Sequence, residues 1–267
     1  MRVFISCDIE GVTTTTLWDE TCVLGKPTIA GPHAEQMTQE VKAACEGAIA
    51  AGADYILVKD AHETGTNIDI RELPECVEII RSWNGHPYSM ATGVDKSFDA
   101  AMFIGYHAAA GRIGNPLSHT MTRRIFYVKL NGVKCSEFQL YSWACALEGV
   151  PTVFLAGDKT LCEDSKTLHP SLVTLAVKDG FGGATKSLAP ARSLKLIREE
   201  CEKALKQDLK KALARLPKEF ELEFCYKEHK DAAAMAWYPG FERIDDNTIR
   251  MHTADYFEVL RAVQFVQ

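Results

Sequence analysis

The sequence predicts an α/β protein: a three-layer, largely parallel sheet with helices on both faces, followed by a smaller α+β C-terminal domain. Two observations carry this. Short apolar runs alternate with helical stretches through roughly the first 160 residues, the pattern of a parallel sheet covered by helices. After about residue 165 the texture changes to a long amphipathic stretch and a strictly alternating strand. The expected division is therefore 1–165 and 166–267. A third observation locates chemistry. The runs at 3–7, 55–58 and 100–105 each lead into metal-ligand residue types: Asp8 and Glu10, His62, and His107. In an open α/β sheet, parallel strand ends converge on one crevice.

Taken in order, residues 3–7 form the opening strand. Pro32 is placed at the start of helix one, with Met37, Val41, Cys45, Ala48 and Ile49 at helical spacing and Gly52 as its left-handed cap. Residues 55–58 return as a buried strand, completing a βαβ unit. Further strands are expected at 100–105, 126–130 and 152–156, with a helix over 137–148 between the last two. Residues 172–177 read as a strand. Residues 190–216 read as one helix with Leu194, Ile197, Cys201, Leu205, Leu209 and Leu213 on a stripe, stopped by Pro217. Phe220, Leu222, Phe224 and Tyr226 alternate with polar or small residues, as in a half-buried antiparallel strand. Asp245-Asp246-Asn247 is the expected turn between 241–244 and 248–251, and 254–266 closes as a helix.

Composition narrows the function classes. The chain has 267 residues, enough to bury a full core. Thirty Lys and Arg against 36 Asp and Glu give a net charge of minus six, with no long basic block, so nucleic acid is not an expected partner. Charged residues appear too early for a secretory signal, and no apolar run approaches the ~20 residues of a membrane span, so the expected location is cytoplasmic. Nine cysteines without a C-x-x-C pair fit reduced, mostly buried residues better than a disulfide framework or a zinc ribbon.

The candidate site residues each have a bland reading beside the chemical one. Asp8 and Glu10 are two apart on a strand and face one side, and paired carboxylates need a cation or a shared proton; alternatively Asp8 caps the next segment and Glu10 is solvated. Gly11 lets the backbone turn sharply after them. His62 and His107 follow strands directly, and imidazole is the commonest protein ligand for zinc, though a lone His in that place is often structural. Asp60 suits either a loop cap or the acceptor that orients His62. Glu137 opens a helix, where the dipole favours a carboxylate anyway. His119 stands in a polar loop and offers a proton donor or acceptor not spent on metal. His33, His86, His169, His229 and His252 have no such context. Together the positions point to a metal-dependent hydrolase.

The segments 6–11 (S-x-D-x-E-G), 60–62, 105–108, 118–121, 132–137 and 153–158 resemble, in order and spacing, the zinc-dependent D-aminopeptidases of peptidase family M55. The resemblance covers most of the chain. It implies two zinc ions per chain, with manganese or cobalt suited to the same donors: Asp8 bridging, Glu10 and His107 completing one site, His62 and Glu137 the other. It implies His119 as the catalytic residue, short peptides beginning with a D-amino acid such as D-Ala as substrates, and a homo-oligomer, a decameric ring. The run 12–16 and the loop between His107 and His119 depart from the family pattern. Two other classes stand beside this one: a different dinuclear hydrolase, amidase or phosphoesterase, and a catalytically inactive peptide-binding or transport-associated protein. Against a phosphoesterase, there is no G-x-x-x-x-G-K loop and no Arg cluster beyond Arg123-Arg124.

Overall fold

The computed structural model describes all 267 residues. The chain opens with β1 (Arg2–Cys7), α1 (Pro27–Ala50), β2 (Tyr55–Asp60), β3 (Val77–Ile80) and β4 (Ala100–Tyr106). A hairpin of β5 (Ile125–Leu130) and β6 (Val133–Lys134) precedes α2 (Glu137–Leu147), β7 (Thr152–Asp158) and α3 (Lys159–Leu168). Then come β8 (Val173–Phe181), β9 (Ala184–Ser187) and α4 (Pro190–Leu205). The last stretch is β10 (Phe220–Tyr226), α5 (His229–Met235), β11 (Glu242–Arg243), β12 (Thr248–Thr253) and α6 (Tyr256–Val266).

Seven strands form one sheet in the order β3-β2-β1-β4-β7-β8-β9, parallel except for the β8–β9 hairpin. Its central strands are buried on both faces. Val3, Ile5 and Cys7 of β1 join the core beneath α1 and α4, whereas Phe4 joins the opposite core beneath α2. A fully buried Val, Ile or Phe contributes about 1.5–3 kcal/mol relative to exposure, so β1, β4 and β7 anchor the middle of the sheet. The chain runs outward from β1 through β2 to β3, then crosses to the other side of β1 for β4. That reversal places a switch-point crevice beyond the carboxyl ends of β1 and β4. No helix is long and apolar enough to cross a membrane.

The second sheet has the order β11-β12-β10-β5-β6 and is antiparallel throughout. It shares the larger core with α2 and α6. Two-domain division at residue 165 does not follow these sheets: β8, β9 and α4 belong with the parallel sheet, and β5 and β6 with the antiparallel one. The strand expected at 126–130 therefore exists but leaves the first sheet. The Asn131-Gly132 turn sends it back on itself, and its side chains alternate in burial where those of β4 and β7 are all buried.

Two helices also differ from expectation. α1 begins at Pro27, in the first helical turn where its missing N–H costs nothing, and Pro32 lies inside the helix. α4 ends at Leu205 instead of running to 216. Asp208 leaves the helical conformation and a 3-10 turn, Leu209–Ala212, carries the stripe onward, while Leu213 is exposed. α1 and α4 pack where Gly47 lets the α4 backbone approach; a Cβ there would stand 2.4 Å from the Arg198 carbonyl oxygen.

Candidate metal centre

The site is assembled at the switch point. Asp8 and Glu10 follow β1, His62 follows β2, His107 follows β4, and Glu137 is the first residue of α2, whose cap is Ser136 accepting from the Gln139 N–H at 3.1 Å. All five are buried. His119 enters from the loop between β4 and β5. Glycine makes the strand ends fit: a Cβ on Gly11 would stand 1.8 Å from the Tyr106 carbonyl oxygen, and one on Gly105, at φ +73°, 2.1 Å from that of Asp8.

The six residues form two lobes that meet at Asp8. In one, His62 Nδ1 lies 3.1 Å from both Asp8 Oδ1 and Glu10 Oε2. In the other, His107 Nε2 lies 3.2 Å from Glu137 Oε2, and His119 Nε2 lies 3.6 Å from Glu137 Oε1. Asp8 Oδ2, 3.3 Å from His107 Nε2, joins them. Neighbours are thus Glu10 with His62 and Glu137 with His107, a different pairing from the partition implied by resemblance.

Each imidazole is oriented by its other nitrogen. His62 Nε2–H donates to the Thr21 carbonyl at 3.0 Å, His107 Nδ1–H to that of Ala108 at 3.0 Å, and His119 Nδ1–H to that of Leu117 at 2.9 Å. A carbonyl accepts only, so the remaining nitrogen of each ring faces the centre. The His107 and His119 rings stack at 4.3 Å, and Trp18 packs edge-on against His119 at 5.3 Å.

Electrostatics follow from burial and proximity. Burial would raise the Asp8 pKa, but the His107 and His62 imidazoles outweigh it and hold the carboxyl well below its usual range. Burial likewise opposes the His62 and His107 cations, yet Glu10 and Asp8 beside the first, and Glu137 and Asp8 beside the second, push both imidazoles well above their ordinary value. Burial acts upward on Glu137, and the His107 and His119 charges bring it down.

A shell of polar groups that local sequence did not single out holds this in place. Asn115 Nδ2 donates to the Glu10 carbonyl at 2.9 Å and to Asp158 Oδ2 at 3.1 Å, and Asp158 Oδ2 accepts from the Ala108 N–H at 2.7 Å. Lys178 Nζ, buried in β8, donates to the Glu10 carbonyl at 2.5 Å and to that of Thr15. Burial draws its pKa down to about 8 despite nearby Asp158 and Glu10. Asp60 is the loop cap of the two readings above: its carboxylate accepts from the N–H groups of Asn67 and Ile68 at 2.5 and 2.8 Å. A cleft of about 730 Å³ opens over the centre, walled by Trp18, Trp83, Met121 and Arg123, with His86 also on its wall.

The donor set fits metal. Asp8 Oδ2, Glu10 Oε2 and His107 Nε2 are buried and have no hydrogen-bond partner, although each lies within 3.3 Å of another polar atom of the centre. The ligand atoms of Asp8, Glu10 and His62 lie within 4.8 Å of one another, as do those of His107, His119 and Glu137, a spacing that suits donors around a shared cation.

Fold and site define a class: α/β proteins with a carboxylate–imidazole centre at the switch point of a parallel sheet. Within that class, the D-aminopeptidase family, peptidase family M55, matches residues 1–265, and the chain belongs to it. It is 28% identical over 265 residues to the D-aminopeptidase of Bacillus subtilis (strain 168), covering 98% of this chain and 95% of that one. The solved structure of the Zn-dependent D-aminopeptidase DppA from Bacillus subtilis, a self-compartmentalizing protease, matches with a TM-score of 0.90 at 27% identity, over 100% of this chain and 96% of that one.

Proposed function

We propose that this chain is a dinuclear zinc aminopeptidase that removes N-terminal D-amino acids, such as D-Ala, from short peptides. Its family membership supports the reaction class. The observation that carries the metal is the set of unpartnered buried atoms on Asp8, Glu10 and His107. In this reading Asp8 is shared, Glu10 and His62 hold one ion, and His107 and Glu137 hold the other. Two imidazoles among five ligands favour zinc over magnesium, and manganese or cobalt suits the same set. Zinc bound there supplies Lewis acidity toward the scissile carbonyl and lowers the pKa of water toward about 7.

The remaining chemistry is done by the chain. His119 is the catalytic residue: its Nδ1–H is committed to Leu117, so Nε2 faces the centre and moves a proton from water to the leaving amine. Stacking on His107 and contact with Trp18 fix the ring plane for that transfer. The carboxylates of Asp8, Glu10 and Glu137 keep the centre anionic and competent for two cations. The proposal extends to a homo-oligomer, a decameric ring, in the cytoplasm; likeness to a self-compartmentalizing relative supports the assembly.

The test is hydrolysis of D-Ala-D-Ala against L-Ala-L-Ala and a panel of phosphoesters by the zinc-loaded protein. Release of D-Ala that stops on chelation is expected. Turnover of phosphoesters alone would transfer the same centre to phosphoryl chemistry, and zinc binding with no turnover of any substrate would leave a binding protein. Sedimentation velocity tests the ring.

A further inference from the structure

The segment 119–123 ties the centre to the lip of the cleft. The Met121 N–H donates to Glu137 Oε1 at 2.6 Å, and Met121 sits at φ +65° with Thr120 and Thr122 bridged across it. This tight turn brings His119 and Arg123 to the wall of one cleft. The Arg123 guanidinium lies 4.4 Å from the centre of the Trp18 ring, and the same ring packs against His119 at 5.3 Å. Arg123 therefore stands one indole away from the catalytic imidazole. Arg124, its neighbour, is engaged by Asp231 at 3.7 Å and by the Gln267 carbonyl at 2.5 Å, whereas Arg123 has no ion-pair or hydrogen-bond partner. Its planar fork of five donors, braced on an aromatic face, is preorganised for a carboxylate.

The same cleft also carries the opposite charge. Glu63 follows His62 and is exposed to the cleft. Its Oε1 accepts only from the Cys22 Sγ–H, at 3.5 Å, and its backbone carbonyl accepts from Trp83 Nε1–H at 2.7 Å. The cleft thus has an unpaired anion at its His62 end and an unpaired cation at its His119 end. A peptide zwitterion lying across it turns its ammonium toward Glu63 and its carboxylate toward Arg123. The scissile nitrogen then lies on the His119 side, where the proton for the leaving amine is held. Successive Cα atoms are 3.8 Å apart, so a carboxylate one or two residues beyond the cleaved bond is of the right reach for a guanidinium one indole past His119.

We propose that Arg123 binds the C-terminal carboxylate of the substrate and makes the cleft selective for di- and tripeptides with a free carboxylate. This deepens the aminopeptidase reading and rests on it for the word substrate. The test is calorimetric binding of D-Ala-D-Ala and of D-Ala-D-alaninamide to zinc-loaded His119→Ala protein, with Arg123 present or replaced by Met. The free acid is expected to bind about tenfold tighter than the amide when Arg123 is present. Arg123→Met removes that preference and leaves amide affinity unchanged, and Arg123→Lys restores part of it. Equal affinities for acid and amide, binding of neither, or a preference that survives Arg123→Met would overturn the proposal. D-Ala-D-Ala, which carries the carboxylate, tests the underlying reading separately through its turnover by the unsubstituted zinc-loaded protein. If it is not hydrolysed while the Arg123-dependent preference persists, the aminopeptidase reading fails and the carboxylate site stands.

Discussion

The two lobes of the centre share Asp8 but are built differently. Asp8, Glu10 and His62 stand at the ends of adjacent parallel strands, and their backbone and outer ring atoms are pinned by Asn115, Lys178 and Thr21. In the other lobe His107 and Glu137 are buried in the same way, but His119 comes from a loop and keeps 14% of its side chain exposed. In the proposed reading the first lobe only holds, and the second holds with two residues and leaves His119 to exchange protons with whatever occupies the cleft. A holding site needs rigidity and burial, whereas a proton carrier needs access, and the proposed roles put these demands on either side of one shared carboxylate.

The largest expected effect breaks that comparison at its exposed end. His119→Ala should lower kcat by about 10²–10⁴-fold with zinc content unchanged, checked by steady-state kinetics beside mass spectrometry of bound metal. A near-normal rate would remove His119 from the reaction, and lost zinc would make it a ligand. His62→Ala probes the holding lobe: bound zinc should fall from about two per chain to about one, with activity lost. Unchanged metal content would refute its ligand role.

A smaller effect is expected one shell out. Lys178→Met frees the Glu10 and Thr15 carbonyls and should weaken zinc binding about 10–100-fold in chelator competition, the range typical of groups that orient metal ligands. Affinity within a factor of two of the unsubstituted protein would show that Glu10 is held without it.

Protons give the mildest test. His62 and His107 sit above their ordinary pKa in the metal-free protein and must lose a proton to bind zinc. Zinc affinity should therefore rise with pH, and keep rising above about 6.5, the unperturbed histidine value. The sign for stability is opposite. In the metal-free chain these pairings are fully stabilising below about pH 6.5 and fade as pH rises through the elevated folded values. Thermal melts of metal-free and zinc-loaded protein across pH 6–9 should consequently diverge; parallel curves would contradict the coupling.

Much of the centre was legible in the sequence because strand ends in a parallel sheet converge by topology. Asp8, Glu10, His62 and His107 each follow a run that is buried on both faces, so the short-range pattern carried a long-range consequence. Glu137 was legible only as a helix start, and its arrival depends on where α2 crosses the sheet. What remained invisible is non-local. Lys178 lies 168 positions from the Glu10 carbonyl it binds, and Trp18 and Arg123 meet only when two loops close over the sheet. The destination of residues 125–130 was equally hidden, since a short apolar run reads alike in either sheet and only the Asn131-Gly132 turn and alternating burial distinguish them. The overlong helix after 190 shows the limit of periodicity: Leu209 continues the stripe, but a 3-10 turn presents it as well as a helix does.

Metal stoichiometry tests the central claim most directly, because both lobes and the role of His119 presuppose two bound cations. Tag-free protein purified without chelators should carry about two zinc ions per chain by native mass spectrometry. No metal, even after reconstitution with zinc, would contradict the account.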